Sequence, residues 1–237
     1  MASERLNADF TRLVIVHTAH MEWQPSPSPS VWRKRLDLAG ASEASRVTSV
    51  VRYDANSAFP PHPHPDGEEI LVLEGVFSDE HGDYPAGTYL LNPEGFSHAP
   101  FSKEGCVLFV KLRQYPGRDR KQIIVDTANA EWQPRPTPGI TVLPLYQEEG
   151  YPEAMRLVRF APGANLPEHE HRGGGELLVL DGGIEDEHGR YEVGSWVRYP
   201  AGSRHAVYSE KGCTLYLKTG HLGIALSACF RPVHITS

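Results

Sequence analysis

Cysteine is scarce in this chain: Cys106, Cys213 and Cys229 are the only three in 237 residues. Their odd number and the absence of any C-x-x-C spacing exclude a disulfide framework and a zinc finger, and reduced thiols are expected. Basic residues are also in deficit, 23 against 30 acidic, for a formal charge of −7. That balance removes the electrostatic basis for nonspecific binding to nucleic acid or to an anionic membrane. Long apolar runs are missing too. Leu13-Val14-Ile15-Val16 is too short for a membrane span or a signal core, and Met1-Ala2-Ser3-Glu4-Arg5-Leu6 lacks a basic leader, so a cytoplasmic protein is expected. Neither a Ser/His/Asp order nor a phosphate-binding glycine loop occurs, and no long stretch keeps the 3.6-residue helical period.

What is present is punctuation and short strands. The 22 glycines and 20 prolines bound apolar or alternating runs such as Arg46–Tyr53, Ile70–Leu73, Val107–Leu112, Leu177–Leu180 and Thr214–Lys218. Many short strands with turn residues between them predict an all-β sandwich or barrel. Pro25-Ser26-Pro27-Ser28-Pro29 and Pro134-Arg135-Pro136-Thr137-Pro138 read as extended arms.

The chain is also duplicated. Val51-Arg52-Tyr53 matches Val158-Arg159-Phe160, Ile70–Gly75 matches Leu177–Gly182, and Asp79-Glu80-His81-Gly82 matches Asp186-Glu187-His188-Gly189, all at a shift of 107. Glu22-Trp23-Gln24-Pro25 answers Glu131-Trp132-Gln133-Pro134 at a shift of 109. So long a period means two domains rather than a solenoid, expected at residues 1–122 and 123–237, with first strands near Trp23 and Trp132.

The chemistry sits in the histidines. His62-x-His64-x-x-x-Glu68 is followed by His98 inside Gly87-x5-Pro93-x-Gly95-x-x-His98. Residues i and i+2 of a strand share a face, so His62 and His64 can meet one ion. The Pro65-Asp66-Gly67 turn returns Glu68 as a further ligand, and a neighbouring strand delivers His98. Three imidazoles and a carboxylate suit Fe, Zn, Mn, Ni or Cu and leave positions open for water or substrate.

These residues resemble the cupin superfamily, small jelly-roll barrels that usually hold one divalent metal. His62, His64, Glu68 and Gly75, then Gly87, Pro93, Gly95 and His98, follow its paired motifs, as do Gly163, His169, His171, Gly194, Pro200, Gly202 and His205 in the second half. Asn56 stands where the motif opens on glycine, a residue that also tolerates left-handed backbone. The wording Glu68–Glu80 is similar to the cupin of ChrR-type anti-sigma factors. The helical sigma-binding domain of those proteins, with its zinc motif, has no counterpart here, so sigma inhibition is not carried over. The resemblance implies two tandem cupin β-barrels of the RmlC-like jelly-roll type.

The second motif departs from the first. Gly175 occupies the position of Glu68, and Glu176 aligns with Glu69, whose side chain faces the other way by strand alternation. A one-residue slip in Gly173-Gly174-Gly175 would bring Glu176 onto the site as a fourth ligand; without it the second site has three histidines, is weakly occupied, or is kept for structure. His81 and His188 read as solvated residues of hairpin turns, Arg33-Lys34-Arg35 as a solvated strand edge, and Cys106 and Cys213 as buried small hydrophobes. Tyr53, Tyr89, Phe96 and Phe109 are candidate apolar walls of the pocket.

Two function classes follow. One is a metal-dependent oxygenase acting on a small organic substrate, with Glu68 doubling as a catalytic base; the resemblance allows this, because cupins with such ligand sets include dioxygenases. The other is a noncatalytic metal- or ligand-sensing module like the ChrR cupin, with isomerase chemistry a weaker third. The expected partner is a small molecule, with neither nucleic acid nor membrane, and a homodimer is compatible with either class.

Overall fold

The computed structural model describes residues 5–40, 44–117 and 119–222, and apart from the short 3₁₀ turn Thr18–His20 its regular structure is all strand. Cys229 lies outside the described residues. Among them, no helix is long and apolar enough to cross a membrane.

Each half folds as a β-barrel of the same plan. In the first, the main sheet runs Ile123–Asp126, Thr88–Asn92, Glu68–Asp79, Cys106–Leu112, Val47–Tyr53, Val31–Leu38, Gln24–Pro25. The second follows with Val14–His17, Ser195–Tyr199, Gly175–Asp186, Cys213–Thr219, Ala154–Phe160, Ile140–Gln147, Gln133–Pro134. All the pairings are antiparallel, so both barrels are meanders and crossovers of short strands, as the turn density predicts. Alternation along the strands then fills the interior. Ile70, Val72, Leu108 and Val110 join Tyr53 and Phe77 in the first core, and Leu177, Val179 and Leu215 join Val158 and Phe160 in the second. At roughly 1.5 to 3 kcal/mol per fully buried large apolar side chain, these layers are the main favourable term.

One glycine per barrel makes the closure possible. The long strand Glu68–Asp79 leaves the main sheet near Gly75 to pair with Gly82–Pro85. Gly75 has φ +71°, and a Cβ there would stand 2.1 Å from the Gly105 carbonyl oxygen. Gly182 repeats this with φ +66° and the same 2.1 Å approach to Gly212. Only a residue without Cβ fits such a crossing. Asn56 has φ 62°, matching Gly163 at φ 76°, so the left-handed position is kept despite the change of residue.

The units do not divide at residue 122. The first comprises the described residues up to Asp9 with Thr18–Glu131, and the second comprises Phe10–His17 with the described residues from Trp132. The cause is hydrogen bonding. Val14–His17 pairs with Ser195–Tyr199, and Ile123–Asp126 pairs with Thr88–Asn92, so each leading strand completes the sheet of the other repeat. The segments near Trp23 and Trp132 supply only the two-residue strands Gln24–Pro25 and Gln133–Pro134.

Candidate metal centres

His62 and His64 lie on the strand His62–His64, which pairs with Phe96–His98 so that His62 stands opposite His98. In the second barrel Ala164–His171 pairs with Ser203–Ser209 and places His169 opposite His205. One register thus builds both triads. In each, one nitrogen per imidazole lies within 4.8 Å of the other two. His64 Nε2 is 3.0 Å from His98 Nε2, and His171 Nε2 is 2.9 Å from His205 Nε2.

The outer nitrogens are held. His62 Nδ1 is 2.9 Å from the Pro60 carbonyl, and His169 Nδ1 is 3.1 Å from that of Pro167. A carbonyl only accepts, so these nitrogens donate, and Nε2 keeps its lone pair toward the cluster. His98 Nδ1 lies 3.1 Å from Asp79 Oδ2, and His205 Nδ1 lies 3.0 Å from Asp186 Oδ2, which orients those lone pairs the same way. Burial, with neighbouring charge secondary, lowers both His64 and His171 to about 4, so both are neutral near pH 7. Converging imidazoles, four of the six held at Nδ1 from behind, fit a divalent transition metal.

Asp79 and Asp186 open the two Asp-Glu-His-Gly turns. They do cap their turns, accepting from the His81 and His188 backbone N–H at 2.8 Å each. The other carboxylate oxygen of each reaches the triad. In the second barrel Tyr199 and Tyr191 donate to Asp186 as well, at 2.6 and 2.8 Å, and these bonds with His205 outweigh desolvation and hold the carboxyl far below the usual range. The recurrence of Asp-Glu-His-Gly in both halves was the available signal for this role. His81 and His188 themselves are exposed.

The fourth position separates the barrels. Glu68 is buried, with Oε2 3.5 Å from His64 Nε2 and 3.6 Å from His98 Nε2. Asn92 Nδ2 donates to the same oxygen at 3.2 Å, and Gln122 in turn holds Asn92 at 3.0 Å. Burial pushes Glu68 above the ordinary carboxylate range, against the opposing pull of His98 and the Asn92 bond.

Glu176 does not join the second triad. The strand keeps the ungapped register, with Gly175 opposite Tyr199 and Glu176 opposite Arg198, so no slip occurs. Gly174 takes φ +75° where Gly67 takes +71°, repeating the same turn. Glu176 therefore faces the other side of the sheet, where it accepts from Trp196 Nε1 at 2.7 Å and meets His221 Nε2 at 3.0 Å. Tyr199 fills the space instead, its ring stacked on His171 at 5.1 Å and 5°.

Each triad borders a cavity. That of the first barrel is about 110 Å³ and is lined by Glu68, Tyr53, Phe59, Phe77 and Arg33 besides the histidines. Of the four expected aromatic walls only Tyr53 lines it. Tyr89 and Phe109 are buried on the outer face of the sheet, paired in register with Leu71, and Phe96 packs 5.5 Å from the His98 ring. Phe59 and Phe77 take the missing places. Arg33 lines the cavity half-buried, while Lys34 sits over Trp23 and Arg35 bonds Gln24, so the basic run is more than a solvated edge. Cys106 and Cys213 are free and buried, each raised by burial to about 11, as unreactive thiols should be.

Comparison with known proteins agrees with this geometry. A family model described as the ChrR cupin-like domain matches residues 11–116 and again 120–223. No curated protein matches in sequence. Among solved structures, a protein provisionally described as a dioxygenase from Nostoc punctiforme superposes with a TM-score of 0.76 at 14% identity, over 94% of this chain and 90% of its own. Protein YlbA of E. coli gives a TM-score of 0.70 at 17% identity, over 93% of this chain and 96% of its own. Oxalate decarboxylase of Bacillus subtilis gives 0.62 at 13%, over 93% and 77%. At these identities the likeness carries the fold and not the activity.

Proposed function

The chain belongs to the ChrR cupin-like family along both halves, and from that premise we propose a metal-dependent oxygenase whose working centre is in the first barrel. One observation carries the reading. Glu68 sets a buried carboxylate 3.5 and 3.6 Å from two inward imidazole nitrogens, beside a largely apolar cavity. His62, His64 and His98 would hold the ion together with Glu68; Fe, Mn, Ni, Cu and Zn all suit such a set. Once bound, a redox-active ion supplies Lewis acidity and brings substrate and dioxygen together.

The remaining work falls to the protein. Asp79 fixes the His98 tautomer, and Asn92 aims the Glu68 carboxylate. If it loosens from the ion, Glu68 could take a proton from substrate and return it. Phe59 and Phe77 exclude water, and a cavity of about 110 Å³ admits only a small molecule, well under the roughly 300 to 1,000 Å³ of pockets for drug-sized ligands. The Nostoc protein, similar in fold, carries a dioxygenase description, which makes dioxygen the first co-substrate to test.

The test is oxygen consumption by Fe-, Mn-, Ni- and Cu-loaded protein with small diketones, phenols and thiols. At least one metal form should turn over, and Glu68→Gln should lose about 100-fold or more. A second reading, a metal- or ligand-sensing module, is favoured by the ChrR description of the family. Oxygen uptake in none of these assays would make it the better one.

A further inference from the structure

We propose that the second barrel is a binding site for an organic monocarboxylate with an apolar body, received by the guanidinium of Arg156. The two cavities are built from matched positions that carry different charges. Where the first has Glu68 the second has Gly175, Ser49 is answered by Arg156, and Leu112 is answered by Thr219, each at the shift of 107. Arg33 of the first barrel corresponds to Val142, 109 positions on. The first cavity thus carries both Arg33 and Glu68 in its lining, whereas the second carries Arg156 without the inward carboxylate.

Arg156 lies on the strand Ala154–Phe160 and alternates inward with the core residues Val158 and Phe160. Its Nη2 donates to Thr219 Oγ1 at 3.1 Å, and among the described residues it makes no ion pair. A second guanidinium, Arg135, lines the same cavity, and Glu170, the carboxylate there, is engaged by Arg204 at 3.6 Å and Arg172 at 4.0 Å. Burial and, secondarily, Arg135 disfavour the charge on Arg156, yet a guanidinium does not give up its proton in water. An entering anion offsets both costs. With one donor used by Thr219, the guanidinium still offers a planar fork to a carboxylate.

The rest of the wall selects the body of the ligand. Val142, Val158, Leu166 and Leu217 line a cavity of about 560 Å³, five times that of the first barrel. That combination suits a short fatty or aromatic acid better than an inorganic anion.

The inference does not rest on the oxygenase reading, and its test is made without metal. Isothermal titration of the chelator-treated full chain with hexanoate, hexan-1-ol and inorganic phosphate should show one hexanoate per chain. Hexan-1-ol should bind at least tenfold more weakly, and phosphate more weakly still. Arg156→Gln should weaken hexanoate at least tenfold with little change for hexan-1-ol. Thr219→Leu, which installs the residue of the first barrel, should weaken it several-fold and serves if Arg156→Gln does not fold. Hexanoate affinity that survives both substitutions, phosphate binding tighter than hexanoate, no hexanoate binding by the wild-type chain at millimolar concentration, or binding abolished by the chelator would each overturn the proposal.

Discussion

The two barrels share three histidines, a supporting aspartate and the same strand register, and among their differences one correlated pair stands beside the triad. Glu68 with Asn92 in the first becomes Gly175 with Tyr199 in the second. The exchange is a packing solution as much as a chemical one. A Cβ on Gly175 would stand 2.4 Å from Nδ1 of His171, the ring on which Tyr199 is stacked. A carboxylate ligand at that position would therefore require the His171 ring, and the tyrosine stacked on it, to shift. The histidine frame is the part the two barrels keep, while the neighbouring strand pair sets the fourth group.

Metal content breaks or sharpens this contrast most directly. His62→Ala should remove most of the bound metal, because it takes one of four ligands from the complete site. His169→Ala, acting on a site of three, should remove less. Metal per chain by elemental analysis is the readout, and an unchanged content in His62→Ala would falsify the assignment of the dominant site.

Replacing the aspartates should come next in size. Asp79→Asn and Asp186→Asn leave shape intact but remove the negative partner of His98 and His205, which typically costs 10- to 100-fold in metal affinity. Asp186→Asn should also lower the unfolding midpoint of the metal-free protein more than Asp79→Asn does. Asp186 accepts from His205, Tyr191 and Tyr199, whereas Asp79 accepts from His98 and, at 3.2 Å, from Tyr84. Equal shifts in paired thermal melts would contradict the ranking.

Much of this contrast was legible in the chain, for reasons of period and spacing. Strand alternation put His62 and His64 on one face; Glu176, expected as a fourth ligand through a slip in the glycine run, stays on the face opposite its triad, because Gly174 is used for the same left-handed turn as Gly67. The exchange of leading strands escaped notice. Val14-Ile15-Val16-His17 and Ile123-Ile124-Val125-Asp126 repeat at the shift of 109, yet local pattern cannot say which sheet edge a strand completes. Asp79 and Asp186 escaped for a related reason, since a turn motif accounts for one carboxylate oxygen and hides the other. The pocket walls failed on parity: Tyr89 and Phe109 are apolar and near in sequence, but on the wrong face of their strands.

Crowding between Gly175 and the His171–Tyr199 stack can be tested directly. Gly175→Glu alone should destabilise the second barrel by about 1 to 3 kcal/mol, the usual cost of forcing atoms into a filled interior. Adding Tyr199→Asn should recover a large part of that loss, because it vacates the space that the carboxylate needs. A double-mutant cycle in urea measures the coupling. Additive effects would mean that Gly175 and Tyr199 do not compete for one space.

The smallest expected effect is on pH dependence, and here the barrels should behave alike. Burial lowers the imidazoles of His64 and His171 from 6.5 to about 4 in the folded chain. Between those values the unfolded chain binds protons that the folded chain does not. Stability of the metal-free protein therefore falls as pH drops from about 6.5 toward about 4, and these two groups add nothing further below it. His64→Gln and His171→Gln should each flatten the slope in that window by up to one proton, and the two variants should flatten it about equally. Urea midpoints at half-unit pH steps supply the curve. If only His64→Gln flattens it, the two triads differ in more than their fourth position, and the contrast would have to be sought in the histidines themselves.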